Sequence, residues 1–206
     1  MTALLSLDSI WLRLVAVCAA LGLWFFTQRL IGQRTLPQGE PYDHLHVLTA
    51  STNAWLNAHP KAANGLLIVT SLLIDAMTLF VLARALFGDS FLPFWGLFGL
   101  FALRQLSQAT VALPPPPGII WRHPGFPSLF VTYEVGNDLF FSGHTALAIY
   151  GAVQLAALGI PALTVAAIIV AVLEMAAVIA LGAHWTMDVL TGLLAALLAG
   201  VLVSKG

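Results

Sequence analysis

The sequence predicts an all-α protein that crosses a membrane six times. Of its 206 residues, 60% are hydrophobic and only 8% are charged, and the mean hydropathy is +0.94. Soluble domains carry about 25% charged residues, so a water-soluble fold of this size would lack the polar side chains to cover its surface. In addition, six apolar segments approach the roughly 20 residues that a helix needs to cross a bilayer core.

We interpret the whole chain, residues 1–206, as one six-helix membrane domain. The first apolar segment is too long for a secretory signal, and no small-x-small cleavage site follows it. The predicted spans are Trp11–Leu30, Gly65–Leu86, Phe91–Leu113, Leu139–Leu158, Pro161–Ala183 and Met187–Val203. The turns "FGDS" after the second span and "GIP" after the fourth are short, which predicts antiparallel hairpins.

Two longer connections are expected on the face opposite to both chain ends. They cover Gly32–Asn64 and Pro114–Asn137, and four consecutive prolines at the start of the second end the preceding helix. Lys and Arg are nearly balanced between the two faces, so charge does not set the membrane orientation. The net charge of −1 gives no basic field for nucleic acid, and the single cysteine, Cys18, excludes an internal disulfide.

Two polar motifs interrupt the apolar segments on that same face. They are "NDLFFSGHTA", ending at Ala146, and "GAHWTMDVLTG", starting at Gly182. His184 and Asp188 are four residues apart, so both lie on one helix face if the last helix starts at this turn. A carboxylate that holds one ring nitrogen fixes the tautomer and makes the other nitrogen a better nucleophile.

This pairing suits a covalent phosphohistidine mechanism. His184 would attack phosphorus, while a second group, for which His144 is the candidate, protonates the departing oxygen. Ser142 and Gly143 stand at the start of the fourth helix, where backbone N–H groups and a hydroxyl favour an anion. Asp138 precedes them by a few residues and is expected to tune His144 or the acceptor.

Phosphate also requires positive charge, for which Arg104 is the candidate. It lies about 15 Å from the Pro114 end of the third span, where an arginine is costly unless it is paired or lines a polar cavity. Asp75 lies at a similar depth in the second span, so a structural ion pair with Arg104 is the alternative. Glu174, deep in the fifth span, has no evident partner in the sequence.

The two motifs are also consistent with roles outside catalysis. A histidine near a membrane interface is often an amphipathic anchor, and two histidines with an aspartate are also potential zinc ligands. However, no third histidine or cysteine stands at ligand spacing, so neither a metal nor a cofactor is expected. A non-enzymatic membrane protein or small transporter would explain the apolar spans but would leave the two motifs as a coincidence.

Together, "NDLFFSGHTA" and "AHWTMDVLTG" resemble the paired motifs of sphingomyelin synthase-type enzymes, a branch of the type 2 phosphatidic acid phosphatase superfamily. The resemblance implies that His184 is the nucleophile, Asp188 its orienting partner and His144 the acid and base. Asp138 matches the acidic residue of a G-D-x-x-x-S-G-H pattern, with Asn137 in place of its glycine. The likeness is specific from Asp138 to Gly192 and only architectural before that.

The resemblance also implies a substrate class. It indicates transfer of a phosphocholine or phosphoethanolamine head group from a phospholipid to a diacylglycerol-like or ceramide-like acceptor, in a plasma or inner membrane, with the site on the non-cytoplasmic face. The hydrolytic branch usually has an arginine six residues before the second histidine, where this chain has Val178. That departure favours a transferase, with a lipid phosphate phosphatase as the alternative.

Overall fold

A computed structural model describes residues 9–33, 41–133 and 139–204 of the chain. Within these ranges it consists of helices, turns and loops without a strand, which confirms the all-α prediction. The helices are α1 (Ile10–Gly32), α2 (His44–Ala58), α3 (Pro60–Phe87), α4 (Leu92–Thr110), α5 (Gly143–Ala156), α6 (Pro161–Ala180) and α7 (Thr186–Ser204).

Four of these helices, α1, α3, α6 and α7, are long and apolar enough to cross a membrane. Of the other two predicted spans, α5 has only 14 residues, a length of about 21 Å at 1.5 Å per residue. The α4 helix has 19 residues but carries several polar side chains, including Arg104 and Gln108, in its second half. A sixfold crossing of the membrane therefore stays a prediction, although every predicted span corresponds to a helix.

The α2 helix lies where a loop was predicted over residues 32–64, and this prediction was wrong. Asp43 caps its first turn by accepting a hydrogen bond from the Leu45 N–H at 3.0 Å. It ends at Ala58, because His59 precedes a proline and such a residue is disfavoured in the α conformation. Pro60 then opens α3 at the position where a helix tolerates proline best.

The hairpin turns are confirmed, and the α6–α7 turn brings the second motif into place. Gly182 has a φ of +62°, in the left-handed region that favours glycine. Its N–H donates to Ile179 and that of Ala183 to Val178, so the last carbonyls of α6 are satisfied at the turn. The chain reverses within a few residues, and α7 starts at Thr186, two residues after His184.

The packing of α7 against α5 joins the two motifs. A Cβ atom on Gly192 would lie 2.7 Å from the Ser142 carbonyl oxygen, and one on Gly200 would lie 2.7 Å from a methyl group of Val153. Glycines on one helix face let neighbouring backbones approach closely, as is common between membrane helices. The start of α5 therefore rests directly on the first half of α7.

Asp75 does not pair with Arg104, so the predicted ion pair is wrong. Its carboxylate instead accepts hydrogen bonds from the Ser128 hydroxyl at 3.1 and 3.2 Å, and from the N–H groups of Leu129 at 2.9 Å and Phe130 at 3.0 Å. The long loop before α5 thus reaches into the bundle and supplies backbone donors at the depth of Asp75. Helical periodicity cannot reveal a partner that comes from a loop.

We expect Asp75→Ala to lower the free energy of unfolding by about 2 kcal/mol, because it leaves two partly buried backbone N–H groups without an acceptor. Asp89→Ala, which removes the same charge from an exposed turn, is the matched control and should change stability by less than about 0.5 kcal/mol. Thermal unfolding in detergent micelles measures both. Equal stability of the two variants would show that the carboxylate does not hold the loop.

Candidate active site

Both motifs face one cavity at the end of the bundle where the long loop lies. The cavity encloses about 490 Å³ of empty space, part of it open to the surroundings. His144, His184, Arg104 and Gly143 line it together, with Trp121 from the loop. Four of the seven site residues predicted from sequence thus meet at one place, on α4, α5 and the turn before α7.

His184 is held by a main-chain carbonyl. Its Nδ1 lies 3.0 Å from the Leu139 carbonyl oxygen, which can only accept, so Nδ1 carries the proton. The side chain is buried. In this tautomer Nε2 keeps its lone pair and is the ring atom available for chemistry.

The Asp188 carboxylate acts less directly on His184 than the spacing predicted. Its Oδ2 atom is 3.7 Å from His184 Nδ1, beyond hydrogen-bonding distance, and accepts instead from the Trp185 N–H at 2.8 Å. The side chain is fully buried. Asp188 therefore stabilises the turn that presents His184 and places a negative charge near its ring, while its role as the catalytic orienting residue stays a prediction.

Ser142 caps α5 and links it to α7. Its hydroxyl oxygen accepts from the Thr145 N–H at 3.3 Å, and its own N–H donates to the Asp188 carbonyl at 3.0 Å. The backbone N–H of Ser142 is thus already used within the protein. A phosphate contact of Ser142 or Gly143 stays a prediction, and Asp138 lies outside the described residues.

Arg104 places its guanidinium group at the start of α5. Its Nε donates to the Phe141 carbonyl at 2.9 Å, and one terminal nitrogen donates to Gln108 Oε1 at 3.4 Å. A Cβ atom on Gly143 would lie only 3.2 Å from Nε and 3.4 Å from Cζ. The absence of a side chain at Gly143 therefore lets the positive charge reach the N-terminus of the helix that carries His144.

His144 contacts the loop through an aromatic ring. The Trp121 ring centroid is 5.3 Å from that of His144 and 6.5 Å from that of His184, edge-on to both. Within the described ranges, His144 Nε2 is buried without a hydrogen-bond partner. Trp121 was not predicted as a site residue, because a tryptophan in a long loop gives no signal of its position.

A second contact that sequence reasoning missed holds the His184 turn from outside. Asp43 accepts from the Thr186 N–H and from the Thr186 hydroxyl, both at 2.7 Å. The His46 Nε2 atom lies 3.0 Å from the His184 carbonyl oxygen, so it donates to it. Asp43 thus caps α2 and α7 at once, and no spacing rule links residues so far apart in the chain.

The pKa of Asp43 reflects these contacts. Partial burial raises the pKa, but the hydrogen bonds from Thr186 and Leu45 lower it by more, so the net pKa lies below the ordinary value. The carboxylate is therefore ionised over the whole physiological range of pH.

The geometry of the site does not account for the burial of Glu174. It is completely buried, and neither carboxyl oxygen has a hydrogen-bond partner among the residues that the structure describes. Among the residues that the structure describes, no three His, Cys, Asp or Glu side chains form a group able to hold a metal ion. Glu174 keeps no assigned role.

Comparison with protein families agrees with the motif resemblance at the level of the superfamily. The model of the PAP2 superfamily matches residues 94–206, which is more than half of the chain. The chain belongs to the PAP2 superfamily. The matched region begins in α4 and contains α5, α6, α7 and both motifs, whereas α1, α2 and α3 precede it.

Membership of the PAP2 superfamily supports chemistry of the phosphatase or phosphotransferase type on lipids. It does not distinguish the sphingomyelin synthase branch from the others, so that finer resemblance stays a prediction. No curated protein and no solved structure matches the chain.

We expect Asp43→Asn to lower the stability of this PAP2 superfamily member by about 1 kcal/mol at neutral pH, a typical effect of weakening a helix cap. Because the native pKa of Asp43 is depressed, its contribution is complete above the unfolded pKa of about 4 and is lost as pH falls through the native pKa. Unfolding curves at pH 7 and pH 3 should therefore show the two proteins converging in acid. A difference that is independent of pH would contradict this role.

Proposed function

We propose that the protein is an integral membrane enzyme that transfers a phosphorylated head group between lipids through a phosphohistidine on His184. One observation carries the proposal: His184 has Nδ1 fixed by a carbonyl, and its ring lines the same cavity as His144 and Arg104. A nucleophile, a proton donor and a positive charge are the three groups that breaking a phosphate ester requires.

In the first step, the lone pair of His184 Nε2 attacks phosphorus and the bond from phosphorus to the lipid oxygen breaks. His144 gives its proton to that oxygen, so the first product leaves as a neutral alcohol. In the second step, neutral His144 takes the proton of the acceptor hydroxyl, whose oxygen attacks phosphorus and releases His184. The proton of His144 and the free His184 are both restored at the end of the cycle.

Arg104 supplies the charge that the phosphate needs. The position six residues before His184, where the hydrolytic branch usually has an arginine, holds Val178, which is buried. Arg104 comes from a different helix but lies against Gly143 at the N-terminus of α5. This proximity supports the proposal that the guanidinium and the positive end of that helix stabilise the same anion.

The identity of the acceptor separates transfer from hydrolysis. We favour a diacylglycerol-like or ceramide-like lipid, with a phosphocholine or phosphoethanolamine donor, because His144 and His184 are buried and Trp121 packs against both rings. Exclusion of water protects a reactive intermediate from hydrolysis. Membership of the PAP2 superfamily keeps a lipid phosphate phosphatase, with water as acceptor, as the second candidate.

The proposal extends to the membrane face that holds the site. The long loop, α2 and the start of α7 meet at one end of the bundle, which supports a site at one membrane surface. We propose the non-cytoplasmic face of a plasma or inner membrane, where the lipid donor and acceptor both reach the site by lateral diffusion.

We expect the purified protein in detergent to move labelled phosphocholine from phosphatidylcholine to added diacylglycerol or ceramide, and to do so equally in EDTA, because the nucleophile is an imidazole. Release of free phosphocholine at the same rate with or without an acceptor would identify a hydrolase instead. Loss of turnover in EDTA that zinc restores would reassign the histidines to a metal site.

Replacement of each of the two histidines should impair a different step of the reaction. His184→Ala removes the nucleophile, so no acid-labile phospho-adduct forms with any substrate. His144→Ala removes the proton donor and should slow lipid turnover by about 10²–10⁴-fold. A nitrophenyl phosphodiester, whose leaving group needs no proton, should recover most of that loss. The measurements are the nitrophenol burst and the adduct in each variant.

The outcome decides the assignment. An adduct in His184→Ala together with its loss in His144→Ala would reverse the two roles. Full activity in both variants would show that the motifs do not form an active site. His123→Ala is the matched control, because His123 lies in the loop and does not line the cavity.

A further inference from the structure

The first part of the long loop, segment 114–123, is tied across the end of the bundle. The Trp185 indole N–H donates to the Pro114 carbonyl at 2.8 Å, and the Asn57 side-chain amide of α2 donates to the Gly118 carbonyl at 3.1 Å. The segment contains neither helix nor strand, so contacts with the surrounding helices fix its course. It connects α2 with the turn that carries His184.

Both residues beside Trp121 in this segment are bonded to the bundle. The Ile120 N–H donates at 2.8 Å to the carbonyl of Leu181, directly after α6, and the Ile120 side chain is buried. On the other side, Arg122 Nε donates at 3.1 Å to the side-chain oxygen of Asn64 on α3. Trp121 is thus held from two directions by its neighbours in the chain.

The ring of Trp121 is also supported by a second aromatic side chain. The centroid of the buried Tyr133 ring lies 4.8 Å from it. The Tyr133 hydroxyl is anchored on α3, where it donates to the Leu67 carbonyl at 3.1 Å and is hydrogen-bonded to the Ser71 hydroxyl. A side chain whose neighbours are locked by packing and hydrogen bonds keeps its own orientation.

Trp121 lies between the two histidines and the surroundings. Its ring is in contact with those of His144 and His184 and lines their cavity. Trp121 itself is partly exposed, whereas His144 and His184 keep only 7% and 5% of their surface exposed. One part of the indole therefore faces the cavity and another faces outwards, on the side where segment 114–123 crosses the bundle.

The second step of the proposed reaction is sensitive to what passes this side chain. The bond between phosphorus and His184 Nε2 breaks while a bond from phosphorus to the acceptor oxygen forms, and the proton of the acceptor moves to His144. Water and a lipid hydroxyl both supply the oxygen and the proton that this step needs. Transfer therefore requires that water be kept from the intermediate.

We propose that Trp121 determines the acceptor: it closes the loop side of the site to water and thereby favours a lipid hydroxyl. The inference rests on the proposed function, because it concerns the fate of the phosphohistidine on His184. Trp121 takes no part in bond breaking, so the formation of the intermediate does not depend on the indole.

Truncation of the indole tests this assignment. With labelled phosphatidylcholine and added diacylglycerol, we expect Trp121→Ala to raise the ratio of free to transferred phosphocholine by about tenfold or more. Trp121→Phe, which keeps an aromatic ring, should restore most of the original ratio. Trp55→Ala is the matched control and should leave the ratio unchanged, because Trp55 is an exposed tryptophan of α2 that does not line the cavity.

This ratio is independent of the fraction of folded protein, since both products form in the same active molecules. The same ratio in Trp121→Ala and Trp55→Ala would overturn the inference. With nitrophenyl phosphocholine and no lipid acceptor, the nitrophenol burst of Trp121→Ala should keep its amplitude, because His184 is present. A lost burst would show that Trp121 supports the nucleophile instead of excluding water, and would also overturn it.

Chemical access to the histidines separates this inference from the proposed reaction. Diethyl pyrocarbonate, a small reagent that acylates neutral imidazole, is added to each variant in detergent, and the modified histidines are located by mass spectrometry. We expect Trp121→Ala to speed the modification of His184 about tenfold relative to the exposed His44, and Trp55→Ala to leave it unchanged. Faster modification supports Trp121 as the barrier to water even if the protein shows no turnover. Unchanged modification overturns the inference even if head-group transfer is demonstrated.

Discussion

The contact between the N-terminus of α5 and the first half of α7 is the constraint on which the rest of the site depends. Gly192 leaves room for the Ser142 carbonyl, and the Ser142 N–H in turn donates to the Asp188 carbonyl. This joins two backbones directly, without intervening side chains. The position of His144 relative to His184 is thereby fixed by main-chain geometry, which is stiffer than a pair of side chains in contact.

Much of the site could be predicted because its chemistry is local in sequence. The His184 turn, the polar start of α5 and the isolated Arg104 each stand out against apolar segments, and all three contribute to the lining of one cavity. The contacts that the sequence did not reveal depend on the long loop and the segment that follows it. The Leu139 carbonyl holds the His184 ring, and the backbone N–H groups of Leu129 and Phe130 donate to Asp75. Main-chain donors and acceptors are nearly the same in every residue, so no pattern of side chains reveals them.

The buried charges of Asp75 and Arg104 are satisfied by main-chain groups of the loop and of the segment just after it. In a bilayer, each unpaired polar group is costly, so charged side chains need partners at their own depth. Asp75 is satisfied by loop N–H groups, and Arg104 donates to the Phe141 carbonyl just before α5. The main chain thus replaces water for both charges, and Arg104 is held in place by the segment that carries the first motif. The same main-chain contacts therefore stabilise the buried charges and hold the site together.

The position of α2 has a consequence for how the chain can be divided. The superfamily match begins at residue 94, yet Asp43 caps the first turn of α7 and His46 donates to the His184 carbonyl. Part of the support of the His184 turn therefore comes from outside the half that matches the family. A fragment cut at the family boundary would start α7 with an uncapped turn at the residues next to His184, and would lose Trp24 as a wall of the cavity. The N-terminal helices therefore belong to the site as structural parts, through their contacts with the turn that carries His184.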